Sequence, residues 1–532
     1  MNDQWWKTGI IYQIYPRSFQ DSDGDGVGDL QGVRRRLGYL ERLGVDAVWI
    51  SPIFVSPMAD FGYDVADYCA VDPLFGTMAD FDRLVLEAHG RGLKVILDFV
   101  PNHTSDQHPW FIQSRSSRDD PKRDWYIWRD PAPDGGPPNN WLANFGGSAW
   151  TLDPPSGQYY HHAYLVRQPD LNWRNPEVRA AMHEVMRFWL DRGVDGFRID
   201  VLWHLIKDAK FRDNPPNPAF RPGQASIERL LPLHSADQPE VQEVAAELRR
   251  VVDAYPDRVL IGEIYLPVER LVAYYGKHLD GVQLPFNFQL IEAPWDAGAI
   301  AAIIRTYEAA LPPGGWPNWV LGNHDRPRVA TRAGADQSRV AAMLLLTLRG
   351  TPTLYYGDEL GLQNVAIPPG AVQDPWEKQE PGLGLGRDPV RTPMPWEDID
   401  NAGFTAGKPW LPLNPDWRQV NVHSETADPD SVLGLYRRII ALRRTHEALR
   451  TGDCANVAAE DGVLRFERRA GSERLLVALN MTHDPRPWPR LPDDAPGQVL
   501  ISTRSGRADP PPGEAPALSP DEGVVIRLRD GE

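Results

Sequence analysis

The chain has 532 residues, 56 of them Lys or Arg and 73 Asp or Glu, for a formal charge of −17. That balance argues against nucleic acid and polyanionic ligands, which need clustered Lys and Arg to release counterions, and it leaves a neutral ligand open. Apolar residues at 42% and charged residues at 24% are ordinary globular proportions and exclude a disordered or fibrous chain.

The opening segment MNDQWWKTGI has no basic stretch leading into an apolar run, so no signal peptide is expected. The longest notable apolar run, Val340–Leu348, falls far short of the about 20 residues a membrane span needs. Cys69 and Cys454 are too far apart in sequence for a disulfide framework or zinc-ligand spacing and read as free thiols. The expectation is a cytoplasmic protein with no membrane or nucleic-acid partner.

Short β-branched runs alternate with helical patterns through about the first 450 residues. The first candidate strand, Ile10–Ile14, is followed by Asp21-Ser-Asp23-Gly-Asp25-Gly-Val27-Gly-Asp29. Alternate carboxylates on a Gly-rich turn can converge on one hard cation; an acidic surface turn has the same look, and the residues alone leave both open. Leu30, Val33, Leu37 and Leu40 then repeat at helical spacing. The further candidate strands are Ala47–Ile50, Val95–Phe99, Gly196–Ile199, Val259–Gly262, Gly281–Leu284, Trp319–Leu321 and Thr353–Tyr356. Several are nearly all apolar, as strands covered on both faces should be. Eight strand-then-helix units predict an α/β protein with a (β/α)8 TIM barrel. The runner-up is an open doubly wound sheet, but no Gly-rich phosphate fingerprint follows the first strand.

The third unit is interrupted by a stretch rich in Pro, Gly and Trp, with Trp110, Trp125, Trp128, Trp141 and Trp150 expected mostly to fill a small core. From about Gly452 the pattern changes to short strands, Val463–Phe466, Leu475–Leu479, Val499–Ser502 and Val524–Leu528, separated by turns. The expected organisation is a barrel in two parts, 1–102 and 171–451, an inserted subdomain over 103–170, and a C-terminal antiparallel β domain over 452–532.

Four of these strands end on charged or polar residues where a buried strand should end apolar: Asp98-Phe-Val-Pro-Asn-His103, Gly196-Phe-Arg-Ile-Asp200, Gly262-Glu263-Ile and Asn323-His324-Asp325. One such end is usually a satisfied ion pair, but four at one barrel mouth point to a site. Residues two apart in a strand share a face, so Arg198 and Asp200 both point to the barrel axis, where the guanidinium should hold the carboxylate ionised. That suits a nucleophile, and Glu263 on the neighbouring strand is placed to be its acid partner. Carboxyls about 5–5.5 Å apart would retain anomeric configuration through a covalent intermediate, and a wider gap would invert it.

These segments resemble the four conserved motifs of the α-amylase family of glycoside hydrolases. Gln168-Pro-Asp-Leu-Asn-Trp173, Ile11–Phe19, Gly62-Tyr-Asp64 and Arg391-Thr-Pro-Met-Pro-Trp396 are similar to its α-glucosidase and oligo-1,6-glucosidase branch. The resemblance implies Asp200 as nucleophile, Glu263 as acid/base and Asp325 as the third carboxylate. Arg198 would hold Asp200 ionised, His103 and His324 would bond sugar hydroxyls, and Tyr63 would lie under the ring. Asp60 and Arg391 would clamp the far hydroxyls and close the pocket, which implies removal of one glucose from a chain end. In the resembling branch the acidic loop binds a structural Ca²⁺ or Mg²⁺, which implies Asp21, Asp23, Asp25 and Asp29 side chains and the Val27 carbonyl as ligands, with no organic cofactor.

Val201, directly after Asp200, resembles the α-1,6-active members. The expected activity is a retaining exo-α-glucosidase on small α-1,6- or α-1,4-linked gluco-oligosaccharides, with transglucosylation as a side reaction, from a monomer or homodimer. The rivals are a trehalose- or isomaltulose-forming relative and a non-catalytic carbohydrate-binding relative; the second is disfavoured because Asp200, Glu263 and Asp325 are all present. Phe286 reads equally as an acceptor contact or a core aromatic.

Overall fold

The computed structural model describes residues 4–489, 497–507 and 517–528. Eight strands close into a parallel barrel: β1 (Ile11–Ile14), β2 (Ala47–Ile50), β3 (Lys94–Phe99), β4 (Gly196–Ile199), β5 (Val259–Gly262), β6 (Leu284–Asn287), β7 (Asn318–Val320) and β8 (Thr351–Tyr355). Each pairs with its neighbours in sequence order, and β8 returns to β1 with Ile11 beside Thr353. The open sheet is therefore excluded. Only β6 differs much from the expected strands: Gly281 precedes it, with no room for a Cβ beside the Tyr274 carbonyl, and pairing begins at Leu284.

Strand alternation divides the core into two shells. Tyr12, Val48, Val95, Leu97, Phe197 and Leu260 point outward into the layer beneath the helices. Ile11, Ala47, Trp49, Ile96, Val259, Ile261, Leu284 and Phe286 fill the barrel interior. The same period of two carries the inward row upward from apolar to polar: Ile11 leads to Gln13, Ile96 to Asp98, Gly196 through Arg198 to Asp200, and Ile261 to Glu263. The interior is packed below and polar at its C-terminal mouth, as in barrels whose loops carry a site. Phe286 is 1% exposed and packs on Trp49, so it is a core aromatic.

Helices complete the outer layer. Leu30–Leu43 starts at Asp29, whose carboxylate accepts from the Gly32 amide, and ends at Gly44 in the left-handed region. The segment 103–170 carries a small antiparallel sheet of Trp128–Arg129, Gln158–His161 and Trp150–Asp153. Trp125, Trp128, Trp141 and Trp150 are buried there, and Trp110 packs at the edge. Its two ends return to the barrel through a bridge between His103 and Asp170.

After the last barrel helix, Val432–Thr445, the chain forms an antiparallel sheet. It comprises β9 (Asp453–Glu460), β10 (Val463–Ala470), β11 (Glu473–Asn480), β12 (Gly497–Ser502) and β13 (Gly523–Leu528), in the order β9-β10-β11-β13-β12. Buried Arg468 on β10 donates to the Thr347 and Gly452 carbonyls, tying the sheet to the barrel. Both cysteines are free and half-buried. No helix among the described residues is long and apolar enough to cross a membrane.

Candidate active site

A cavity of about 430 Å³ opens at the C-terminal mouth of the barrel. Its wall includes Asp60, Tyr63, His103, Asp200, Val201, Glu263, His324 and Asp325, so eight of the ten residues expected around a sugar come together in one place. Arg198 stands just behind them. Its Nη1 lies 2.8 Å from Asp200 Oδ1 and 2.7 Å from Asp98 Oδ1, and its Nη2 lies 2.7 Å from Glu263 Oε2. One guanidinium thus gathers three buried carboxyls from β3, β4 and β5.

Val201 supplies a second tie. Its amide donates to Glu263 Oε2 at 2.8 Å, from a backbone with φ of 37°. A β-branched residue rarely adopts that conformation, and holding it there costs about 1–3 kcal/mol. The strained turn aims the amide immediately after Asp200 at the partner carboxyl.

The electrostatics depart from the sequence expectation in one respect. Arg198 does pull the Asp200 carboxyl down, but burial and the nearby Glu263 and Asp98 carboxyls outweigh it, and Asp200 is pushed well above the ordinary carboxylate range. Burial likewise raises Glu263, against Arg198, and Asp200 can share a hydrogen bond with it. Asp98, also buried, is raised to about 6. Three acids crowd one cation, so ionising any one of them makes the next harder to ionise and the group titrates as a unit.

Asp325 is the opposite case. Burial raises it, but His324, Arg391, Arg387 and Arg198 more than offset that and hold it well below the usual range. Arg391 Nη2 lies 2.8 Å away, His324 Nε2 3.2 Å and Arg387 Nη1 3.4 Å.

A hydrogen-bonded line crosses the floor. The Gln13 amide nitrogen, a donor only, lies 2.8 Å from His324 Nδ1 and so places the ring proton on Nε2. Nε2 lies 2.7 Å from the Tyr63 hydroxyl, which donates to Asp98 Oδ2 at 3.0 Å. Tyr63 and His324 stack with centroids 5.3 Å apart and planes 5° from parallel. Burial keeps both histidines neutral: His103 is lowered to about 4, and His324 lies well below its ordinary value.

Arg391 is the correction. It is fully buried, donates from Nε to the His324 carbonyl, and lies behind Asp325 instead of on the wall. The arginine on the wall beside Asp60 is Arg387, with Nη2 2.6 Å from Asp60 Oδ1 and 2.6 Å from Asp374 Oδ1. The two arginines are four residues apart, separated by the short helical turn Asp388–Val390, which sends one into the cavity and the other beneath it. Arg387 and Gln13 were not identified from sequence, and Asp98 was marked as a charged strand end without a role. A charged or amide side chain inside an otherwise apolar strand was the available signal for the last two.

At the acidic loop, Asp21, Asp23 and Asp29 each bring one carboxylate oxygen within 4.8 Å of the others. Asp25 is not in that group of three; its Oδ1 accepts from the Val27 amide at 2.7 Å. The loop is pinned at Gly26, whose φ of 95° and approach to the Lys408 carbonyl leave no space for a side chain. Hard carboxylate oxygens this close fit a small divalent cation.

The alpha-amylase catalytic domain matches residues 13–452 of the chain. A probable alpha-glucosidase of Rhizobium meliloti (strain 1021) is 43% identical over 498 residues, 90% of each chain. The oligo-1,6-glucosidase of Parageobacillus thermoglucosidasius is 39% identical over 531 residues, 93% of each. Among solved structures, the α-glucosyl transfer enzyme XgtA superposes with a TM-score of 0.93 at 42% identity, covering 99% of this chain and 100% of that one.

Proposed function

The chain belongs to the α-amylase family of glycoside hydrolases, and from that membership we propose that it is a retaining exo-α-glucosidase acting on short α-1,6- and α-1,4-linked gluco-oligosaccharides. The observation that carries this reading is the single Arg198 guanidinium shared by Asp200 and Glu263, which keeps the two carboxyls on one sugar-sized cavity.

In this mechanism Glu263 carries the proton held by the buried group and delivers it to the glycosidic oxygen. Asp200, ionised beside Arg198, attacks the anomeric carbon from the other side and forms a glucosyl ester. Asp325, already anionic, faces the positive charge that develops on the ring and accepts bonds from its hydroxyls. Neutral His103 and His324 face further hydroxyls, His324 turning its Nε2 proton from the Tyr63 hydroxyl to the sugar as it binds, and Tyr63 packs against the ring. Asp60 and Arg387 close the far end, which restricts action to a terminal glucose. Glu263, now deprotonated, then activates water to release α-glucose.

A sugar hydroxyl can replace that water. Similarity to an α-glucosyl transfer enzyme supports transglucosylation as a second outcome at high substrate. Val201 shapes the leaving-group side, and its contribution to linkage choice is worth about 1–3 kcal/mol.

At the acidic loop, Asp21, Asp23 and Asp29, with Asp25 and the Val27 carbonyl adjoining, would hold Ca²⁺ or Mg²⁺. A bound ion would supply positive charge that braces the loop against the start of helix Leu30–Leu43, away from the reacting carboxyls.

The test is a product time course with anomeric configuration on maltose, isomaltose and sucrose, for the native protein and for Asp200→Asn. Free α-glucose is the expected product, with Asp200→Asn at least about 10³-fold slower. A rearranged disaccharide would mean isomerisation, and turnover retained in Asp200→Asn would overturn the mechanism. Val201→Thr should shift the maltose-to-isomaltose ratio, and a native protein inert on isomaltose would remove the α-1,6 assignment.

A further inference from the structure

The roof of the cavity is made by three loops that are remote in sequence, and Glu380 touches all three. Its Oε1 accepts from the Ser226 amide at 3.0 Å, in the long loop after β4. Its Oε2 accepts from Trp376 Nε1 at 3.2 Å, in the loop after β8. From the third side comes Gly146 of the 103–170 segment. A Cβ built on Gly146 would lie 2.8 Å from Glu380 Cγ, and the φ of 101° there already favours glycine.

Each contact is next to, or is itself, a residue of the cavity wall. Phe145 precedes Gly146, Ala225 precedes Ser226, and Trp376 lines the wall directly. Phe145 is clasped between the Trp376 ring, 5.4 Å away, and the Arg387 guanidinium, 4.6 Å from its centroid. Ser226 Oγ is buried without a partner, so its hydroxyl adds nothing to the hold on the loop. Any widening of the mouth that parts the loop after β4 from the loop after β8 breaks the Ser226 bond to this half-buried carboxylate, while the Trp376 bond, made within the loop after β8, keeps Glu380 aimed at Ser226.

We propose that Glu380 is the latch of this roof: a positioning residue that sets the width of the leaving-group side of the pocket and thereby favours disaccharides over longer chains. The proposal rests on the glucosidase reading for its consequence, but not for its geometry. Closed, the latch presses Phe145 and Ala225 toward the bound sugar. Open, it gives room for further sugar units and for acceptors other than water.

The experiment compares native protein, Glu380→Ala and Glu380→Gln by two readouts. The first is amide hydrogen exchange in peptides covering Ser226 and Gly146. Glu380→Ala should exchange about tenfold faster there, the expected result of losing the charged acceptor of the Ser226 amide and the packing against Gly146, with the barrel strands unchanged. Glu380→Gln retains one acceptor oxygen and should fall between. The second readout is kcat/KM on maltotetraose relative to maltose, which should rise about tenfold in Glu380→Ala and less in Glu380→Gln. A merely structural role would lower both substrates alike and leave the ratio fixed. Unchanged exchange at Ser226, or an unchanged ratio with both variants folded, overturns the latch. If the native protein released glucose from neither sugar, the functional reading would fall, and the exchange data would still decide whether Glu380 holds the roof.

Discussion

Asp60 and Arg387 stand 327 positions apart in the chain, yet their carboxylate oxygen and guanidinium nitrogen lie 2.6 Å apart at the wall of the cavity. The same arginine meets Asp374 at 2.6 Å and Asp325 at 3.4 Å, so one cation balances three acids that are otherwise buried or nearly so. Breaking such a group costs more than the group contributes, because Asp60 and Asp374 are left without a cation, while Asp325 keeps Arg391.

Arg387→Ala should therefore destabilise the protein by about 3–5 kcal/mol, read from urea unfolding. Arg387→Lys keeps the charge but loses the planar fork, and should fold while raising KM for disaccharides about tenfold or more. Arg391→Lys, acting through Asp325 from behind, should lower kcat more than it raises KM. Equal effects of the two lysine variants on KM would put both arginines against the sugar.

The raised Asp200 and Glu263 carboxyls place the acid limb of activity above the ordinary carboxylate range, because Asp200 must be ionised to attack. Asp98 contributes to that rise. Removing a neighbouring negative charge makes ionisation easier, so Asp98→Asn should move the acid limb of kcat/KM to lower pH. A pH profile of the variant superimposable on that of the native protein would show that Asp98 does not act on the pair.

Asp358, buried after β8 with Oδ1 3.6 Å from Arg328 Nη1 and without a hydrogen bond, is pushed up to about 7 by burial, against the pull of Arg328. Unfolded, an aspartate ionises near pH 3.9. Between those values the unfolded chain has released the proton and the folded one has not, so stability declines as pH rises from about 4 to 7 and is flat above. Asp358→Asn cannot ionise and escapes this loss. Its melting temperature relative to native should rise between pH 5 and pH 8; a constant difference would mean that Asp358 is ionised in the folded state throughout.

Asp29 has two tasks that a single substitution can separate. Its Oδ1 caps helix Leu30–Leu43 through the Gly32 amide at 2.7 Å, and it belongs to the oxygen cluster with Asp21 and Asp23. Asparagine caps a helix as well as aspartate does but brings no charge to a cation. Chelation should lower the native melting temperature, reversibly on adding Ca²⁺ or Mg²⁺, whereas Asp29→Asn should melt near the chelated value and respond to neither. If chelation leaves both bound metal and melting temperature unchanged, the loop holds no ion.

Sequence alone determined whatever depends on neighbours along the chain. The period of two placed Arg198 and Asp200 on one face of β4, and polar ends on apolar strands marked the barrel mouth; both rest on strand geometry, which is local. The acidic turn was legible for the same reason, since its oxygens lie within nine residues. Tertiary structure decided the rest. Only the fold shows that Arg387 and not Arg391 reaches the cavity, because the turn between them rotates the chain by an amount no periodicity encodes. Only the fold reverses the expected lowering of Asp200, since burial and the company of Asp98 and Glu263 come from three different strands. Whether a charge is stabilised depends on everything within a few ångströms, and those neighbours are set by chain closure, not by sequence order.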